Sequence, residues 1–348
     1  MSIITIVGAG MMGSAMSFPA SSNKHEVRLV GTPLDREIIE RAKADGYHIT
    51  LKRALPKGIR FFQFEELQQA LADADLLISG VSSFGVQWFL DNVLQIIPAE
   101  LPVLSVTKGM IVNEDGTLTT YPHWYEQQLK GKKLCINAVG GPCTSYELAD
   151  FDPTEVCFCG ESIGVLRELK ALLNTEYYHI SLSTDITGVE CSVAMKNAYA
   201  LGVTLAIGLS EKLEGQKGKE HYNSQAALFG QSAREMRKLL RIAGGNDESI
   251  IYGIGDLYVT VFGGRTRLIG TLLGNGLSFT DAMAQLSGIT LESIVIATRT
   301  AQAVQRMAAR GLISEADFPL LMHIDQVINH NMPVQIPWDQ FEVEENPA

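Results

Sequence analysis

The chain opens on Ile3-Ile4-Thr5-Ile6-Val7 running directly into Gly8-Ala9-Gly10-Met11-Met12-Gly13-Ser14-Ala15, and no other segment restricts the fold as strongly. Five β-branched or aliphatic residues in a row favour an extended strand, and the Ala- and Met-bearing stretch behind them favours a helix. The three glycines between have separate uses. Gly8 permits a tight turn, Gly10 permits close approach of a ligand to the backbone, and Gly13 lets the helix pack on the strand. Such a helix start offers unpaired N–H groups and a positive dipole end to phosphates, so the segment reads as a dinucleotide-binding loop.

The rest of residues 1–184 repeats this alternation. Short apolar runs at Ile3–Val7, Glu26–Val30, Leu76–Gly80, Val103–Val106, Leu134–Val139 and Glu155–Cys159 read as strands. Stretches such as Met11–Ser21, Glu37–Asp45, Glu65–Asp73 and Ile163–Leu173 read as helices. Repeated βα units imply a doubly wound, mostly parallel sheet of Rossmann type. Tyr47–Phe64 holds no strand that the pattern locates.

From Asp185 onward the apolar runs are long, rich in Ala and Leu, and periodic at three and four residues, which reads as an all-α domain over 185–348. Its first helix, Ile186 to about Leu213, is apolar on nearly all sides and reads as a central buried helix. It ends at the charged loop Glu214–Tyr222, and the acidic tail after Pro337 reads as loosely held.

A net charge of −11 with no basic run argues against nucleic acid as a partner. Any attraction for a small anion must come from local cations. Five cysteines without a CxxC pair read as reduced thiols in a cytoplasmic protein, and no metal site is expected. The first residues lack the features of a signal peptide, and no segment reads as a membrane span. The apolar helical domain is compatible with a homodimer face or with internal burial.

The second strand ends in Gly31-Thr32-Pro33-Leu34-Asp35-Arg36. Thr32 and Arg36 suit a 2′-phosphate, whereas Asp35 suits a ribose hydroxyl or simply begins the next helix, so NAD and NADP both stay open.

Three groups of polar residues stand out against apolar surroundings. Lys108 follows a strand at its carboxyl end, where open α/β sheets place ligands. Lys196 and Asn197 interrupt some twenty mostly apolar or small positions of one helix. Burying an ammonium costs several kcal/mol unless it is paired, here with Glu190 or Asp256, or snorkels to water. The third group is Gly253-Ile254-Gly255-Asp256-Leu257 with Thr260, followed by Gly263-Gly264-Arg265-Thr266-Arg267, where backbone N–H groups beside a guanidinium suit a phosphate.

Taken in order, GAGMMG, TKGM, GGPCTSYELA, KNAYALG, GIGDLYVT, GGRTR and LGNG resemble the soluble NAD(P)-dependent glycerol-3-phosphate dehydrogenase family along nearly the whole chain. The resemblance implies a helical substrate domain closing over a Rossmann domain. It implies Lys196 as general acid/base at the substrate C2 oxygen, with Lys108, Gly141, Asn197, Asp256, Thr260, Arg265 and Thr266 contacting a small phosphorylated substrate. It also implies cofactor contacts from Gly8, Gly10, Met11, Met12, Gly13, Phe84, Lys108, Ser145, Arg265 and Glu292. Three positions depart from the family pattern: Cys143 stands for Ser or Thr, Thr266 for Asn and Ser293 for Gly. These leave the lysine chemistry intact and bear on the exact phosphorylated substrate. A relative acting on another hydroxy compound, or a dinucleotide-binding protein without turnover, are the competing readings.

Overall fold

The computed structural model describes residues 1–216, 218–289 and 291–341. Residues 342–348 of the acidic tail lie outside the described residues. The chain divides into two compact units, Met1–Gly109 with Thr120–Glu190, and Met110–Thr119 with Cys191–Ala348.

The strands in chain order are β1 (Ile3–Val7), β2 (Glu26–Val30), β3 (Tyr47–His48), β4 (Arg53–Ala54), β5 (Arg60–Phe62), β6 (Leu76–Ser79), β7 (Val103–Ser105), β8 (Met110–Val112), β9 (Leu118–Thr120), β10 (Ile136–Gly140), β11 (Thr154–Cys159) and β12 (Tyr178–Ser183). Eight form one sheet in the order β12-β11-β10-β7-β6-β1-β2-β5. Six strands from β5 to β10 run parallel, and the β10–β11 pair is antiparallel. The missing strand of Tyr47–Phe64 is β5, three residues beside β2, too short and too charged to show a pattern. β12, parallel to β11, also went unread: only Tyr178 and Ile180 of its six residues are buried, so it is not the continuous apolar run that marks the other strands.

β1 shows why the sheet strands are continuous apolar runs. Ile4, Ile6 and Val7 are fully buried on both faces, and the hydroxyl of the buried Thr5 donates to the Ala70 carbonyl at 2.6 Å. The helix Ile163–Leu173 covers the sheet with Leu166, Leu169 and Leu173, spaced on one face. Its Ser162 cap accepts from the Val165 N–H.

The second unit is built around Ile186–Glu214, a helix of 29 residues. Its Tyr199, Leu201 and Leu205 share a core with Leu239, Leu257, Ile296 and Leu320 from the surrounding helices. By length and composition this helix could cross a membrane, contrary to the sequence expectation, yet 83% of its most apolar 18-residue window is buried inside the fold. The sequence expectation also placed 110–119 with the sheet. Instead the β8–β9 hairpin packs in the helical unit. Arg306 donates to the Asn113 carbonyl at 2.8 Å, and Gly116, at φ +88, lies against the helix Glu292–Ala309.

Candidate active site

In the sheet unit β1 delivers Gly8 at φ +108, a left-handed conformation open to glycine. A Cβ there would sit 2.7 Å from the Gly80 carbonyl carbon, so the loop lies directly on the end of β6. Gly10 is different: the nearest atom to its missing Cβ is 3.9 Å away. It occupies the N-cap of the short helix Met11–Ala15 in extended conformation, with no side chain capping the helix. Gly8 and Gly10 line a groove of about 440 Å³ with Asp35, Val81, Phe84 and Trp88. An open backbone beside an uncapped helix start fits a dinucleotide phosphate.

Lys108 and Gly141 also come together in this unit. The ammonium donates to the Gly141 carbonyl at 2.8 Å, and Met12, Cys143 and Tyr178 line the same small cavity. Cys143, one of the departures from the family pattern, therefore lines the same cavity as Lys108 and Gly141, two of the expected substrate contacts. Glu190 is fully buried, and neither carboxylate oxygen has a hydrogen-bond partner. Burial pushes its pKa up to about 8, against the opposing charge of Lys108. An acid with a raised pKa stabilises the fold below its ordinary pKa and loses that contribution as pH rises through the folded value. Glu190→Gln is accordingly expected to gain in Tm over the parent between pH 5 and pH 9, in thermal melts across that range. A constant difference would contradict the assignment.

In the helical unit, Gly253 brings two helices into backbone contact: a Cβ on it would lie 2.6 Å from the Ser192 carbonyl oxygen. One turn further along both helices, Lys196 Nζ donates to Asp256 Oδ1 at 2.5 Å. The Asp256 side chain is 1% exposed and that of Lys196 14%. The ion pair is thus formed with Asp256, and Glu190 is not the partner. A buried ion pair is a poor way to gain stability, since desolvation offsets the attraction. It does hold an ammonium at a fixed point. Thr260 Oγ1 donates to the Asp256 carbonyl at 2.7 Å, in the same helix. Asn197 is half-buried beside Lys196.

Gly263 ends that helix in extended conformation, and Gly264, at φ +79, begins the next one, Gly264–Gly274. Arg265 in its first turn is exposed, whereas Thr266 is buried. Glu292 starts the helix Glu292–Ala309, and the following Ser293 is buried with its hydroxyl unpartnered.

Within the sheet unit, then, Gly8, Gly10 and Phe84 share one groove, and Met12, Lys108 and Gly141 share one cavity. Gly13 packs on Gly80 and lines neither. Met11 accepts from the Tyr146 hydroxyl at 3.2 Å, and Ser145 is buried at the start of a short helix. Sequence reasoning missed His48, whose ring meets the Ala9 carbonyl 39 residues away, a contact with no local signal.

Comparison with known proteins shows the family. Residues 3–163 match the family model for the N-terminus of NAD-dependent glycerol-3-phosphate dehydrogenase, and residues 185–338 match the model for its C-terminus. The chain is 32% identical over 335 residues to an NADP(+)-dependent glycerol-3-phosphate dehydrogenase of Archaeoglobus fulgidus, covering 96% of this chain and 97% of the relative. A glycerol-3-phosphate dehydrogenase [NAD(P)+] of Myxococcus xanthus is 28% identical, with 82% of each chain covered. Among solved structures, a glycerol-3-phosphate dehydrogenase from Coxiella burnetii shares the fold at a TM-score of 0.79 and 21% identity, over 98% of this chain and 97% of that one. With both halves of the family model matched and a relative similar over nearly its whole length, the chain belongs to the NAD(P)-dependent glycerol-3-phosphate dehydrogenase family.

Proposed function

We propose that this chain is an NAD(P)-dependent glycerol-3-phosphate dehydrogenase, an oxidoreductase that interconverts dihydroxyacetone phosphate and sn-glycerol 3-phosphate. The observation that carries the reading is the Lys196–Asp256 pair, an ammonium held at 2.5 Å by a buried carboxylate where two largely apolar helices meet. A dinucleotide held at Gly8, Gly10 and the loop around them would supply the hydride to C2 or accept it from there.

Lys196 Nζ serves as acid and base at the C2 oxygen. In reduction the ammonium stabilises negative charge developing on that oxygen and then gives it a proton; in oxidation the neutral amine takes the proton back. Asp256 holds Nζ in place through both directions. We assign Lys108, Gly141, Asn197 and Thr260 to the substrate, and Arg265 with the backbone of Thr266 to its phosphate. Gly8, Gly10, Met11, Met12, Gly13, Phe84, Ser145, Arg265 and Glu292 are assigned to the cofactor, with Lys108 serving both ligands. Either NAD or NADP is accommodated by this assignment. We also place the enzyme in the cytoplasm, a reading supported by five cysteines of which none is in a disulfide, two of them on β11.

The test is NADH and NADPH oxidation with dihydroxyacetone phosphate against unphosphorylated dihydroxyacetone. Turnover with the phosphorylated compound alone is expected. Equal turnover of both would remove the phosphate role of Arg265 and Thr266, and turnover of neither would overturn the substrate.

A further inference from the structure

The peptide of Ala9, at the centre of the glycine-rich loop, is fully buried and gripped from two directions by side chains that lie far from it in sequence. Its N–H donates to Asp35 Oδ2 at 3.1 Å. Its carbonyl oxygen meets His48 Nε2 at 2.8 Å and accepts also from the Ser14 hydroxyl at 3.2 Å. The tautomer of His48 follows from its other nitrogen: Nδ1 accepts the Leu51 N–H at 2.9 Å, so the ring proton resides on Nε2 and points at Ala9.

Asp35 is also occupied on its own side. The same Oδ2 accepts the Thr32 N–H at 2.8 Å and the Thr32 hydroxyl at 2.7 Å. It stands at the N-cap of the helix Arg36–Asp45 without its side chain capping that helix. Its carboxylate therefore ties the turn after β2 to the turn after β1. His48 on β3 completes the hold from the opposite side.

We propose that Asp35 and His48 are positioning residues for the cofactor: together they fix the Ala9 peptide, so that Gly8 and Gly10 present a preformed backbone to the dinucleotide. The inference rests on the reading of this loop as the cofactor site. It gives Asp35 a task other than reading the ribose. A loop ordered before binding does not lose that freedom on binding, so the clamp acts on affinity for any dinucleotide, oxidised or reduced, phosphorylated or not.

The clamp needs a neutral His48. A second ring proton would turn Nδ1 into a donor facing the Leu51 N–H. Burial lowers the pKa of His48, and Asp35 opposes that shift from across the Ala9 peptide. Arg53, paired with His48 in the β3–β4 register, is turned to Asp150 at 2.6 and 2.7 Å, and the glycine-rich loop carries no charge of its own.

The experiment measures dissociation constants for NADH and NADPH by fluorescence titration of the full-length protein, with thermal melts of each variant. Asp35→Ala is expected to weaken both dinucleotides by the same factor, about tenfold. Selective loss of NADH would show instead that Asp35 reads the ribose. His48→Leu is expected to weaken both to a similar extent with kcat at saturating cofactor unchanged. His48→Gln, whose amide N–H can still reach the Ala9 carbonyl, should recover most of the affinity. The parent should lose affinity as pH falls through the His48 ionisation, and His48→Gln should not. Should His48→Leu fail to fold, Asp35→Ala and the pH profile of His48→Gln decide the matter. Folded Asp35→Ala and His48→Leu variants that bind within twofold of the parent would overturn the clamp. A parent that binds neither dinucleotide would overturn the cofactor reading itself.

Discussion

Lys196→Gln is expected to lower kcat by about 10³ to 10⁵ while leaving the dissociation constant for NAD(P)H near that of the parent, since it removes both the proton donor and the charge facing the developing oxyanion. The choice of glutamine follows from the partner. Asp256 is 1% exposed in its side chain and receives Nζ at 2.5 Å, so a variant with no donor takes a charged partner away from a buried carboxylate. Lys196→Ala should therefore also lose about 3–5 kcal/mol of stability, whereas the glutamine amide still offers Asp256 an N–H. Steady-state kinetics, cofactor titration and thermal melts of the two variants separate chemistry from folding. If Lys196→Gln kept a tenth of the parental turnover, the lysine would not be the acid/base.

Gly13→Ala is expected to abolish measurable cofactor binding and to lower stability, by about 1–3 kcal/mol or more. Its new Cβ would overlap the Gly8 carbonyl oxygen and lie 3.0 Å from the Gly80 Cα, all backbone, with nothing flexible to move aside. Gly10→Ala is the contrast. Gly10 has φ −66 and ψ 175, which alanine adopts freely, and its Cβ would meet nothing closer than 3.9 Å. That variant should melt with the parent and yet bind the dinucleotide weakly, because the methyl group occupies space reserved for the ligand. Equal cofactor affinity in Gly10→Ala and the parent would remove the loop from the binding site.

These two glycines also show what was legible in the sequence. A backbone that must turn, admit a ligand and pack closely leaves glycine at fixed intervals, and that spacing is local even where the neighbour, Gly80, is not. The same is true of the helix Ile163–Leu173, whose apolar spacing and Ser162 cap lie within a dozen residues. β5 was illegible for the opposite reason: three residues at a sheet edge, one of them an arginine, carry no period. Lys196 stood out because burial of a charge needs a partner, but its spacing did not distinguish Glu190 from Asp256; a glycine contact at Gly253 and Ser192 did. His48 gave no signal, and Glu190 was read only as a possible partner of Lys196, because each owes its character to groups brought close by the fold.

The β8–β9 hairpin has a consequence for synthesis on the ribosome. Asn113 and its partner Arg306 are separated by 193 residues, so the hairpin leaves the exit tunnel long before the helix that receives it exists. At about 5–20 residues per second that interval is about 10–40 s. The helical unit is thus discontinuous in the chain, and residues 185–348 produced alone would lack a piece of their own surface. Its final packing waits for the helix Glu292–Ala309, and until that helix has been made the nascent chain carries a ten-residue segment, Met110–Thr119, without the surface it packs on.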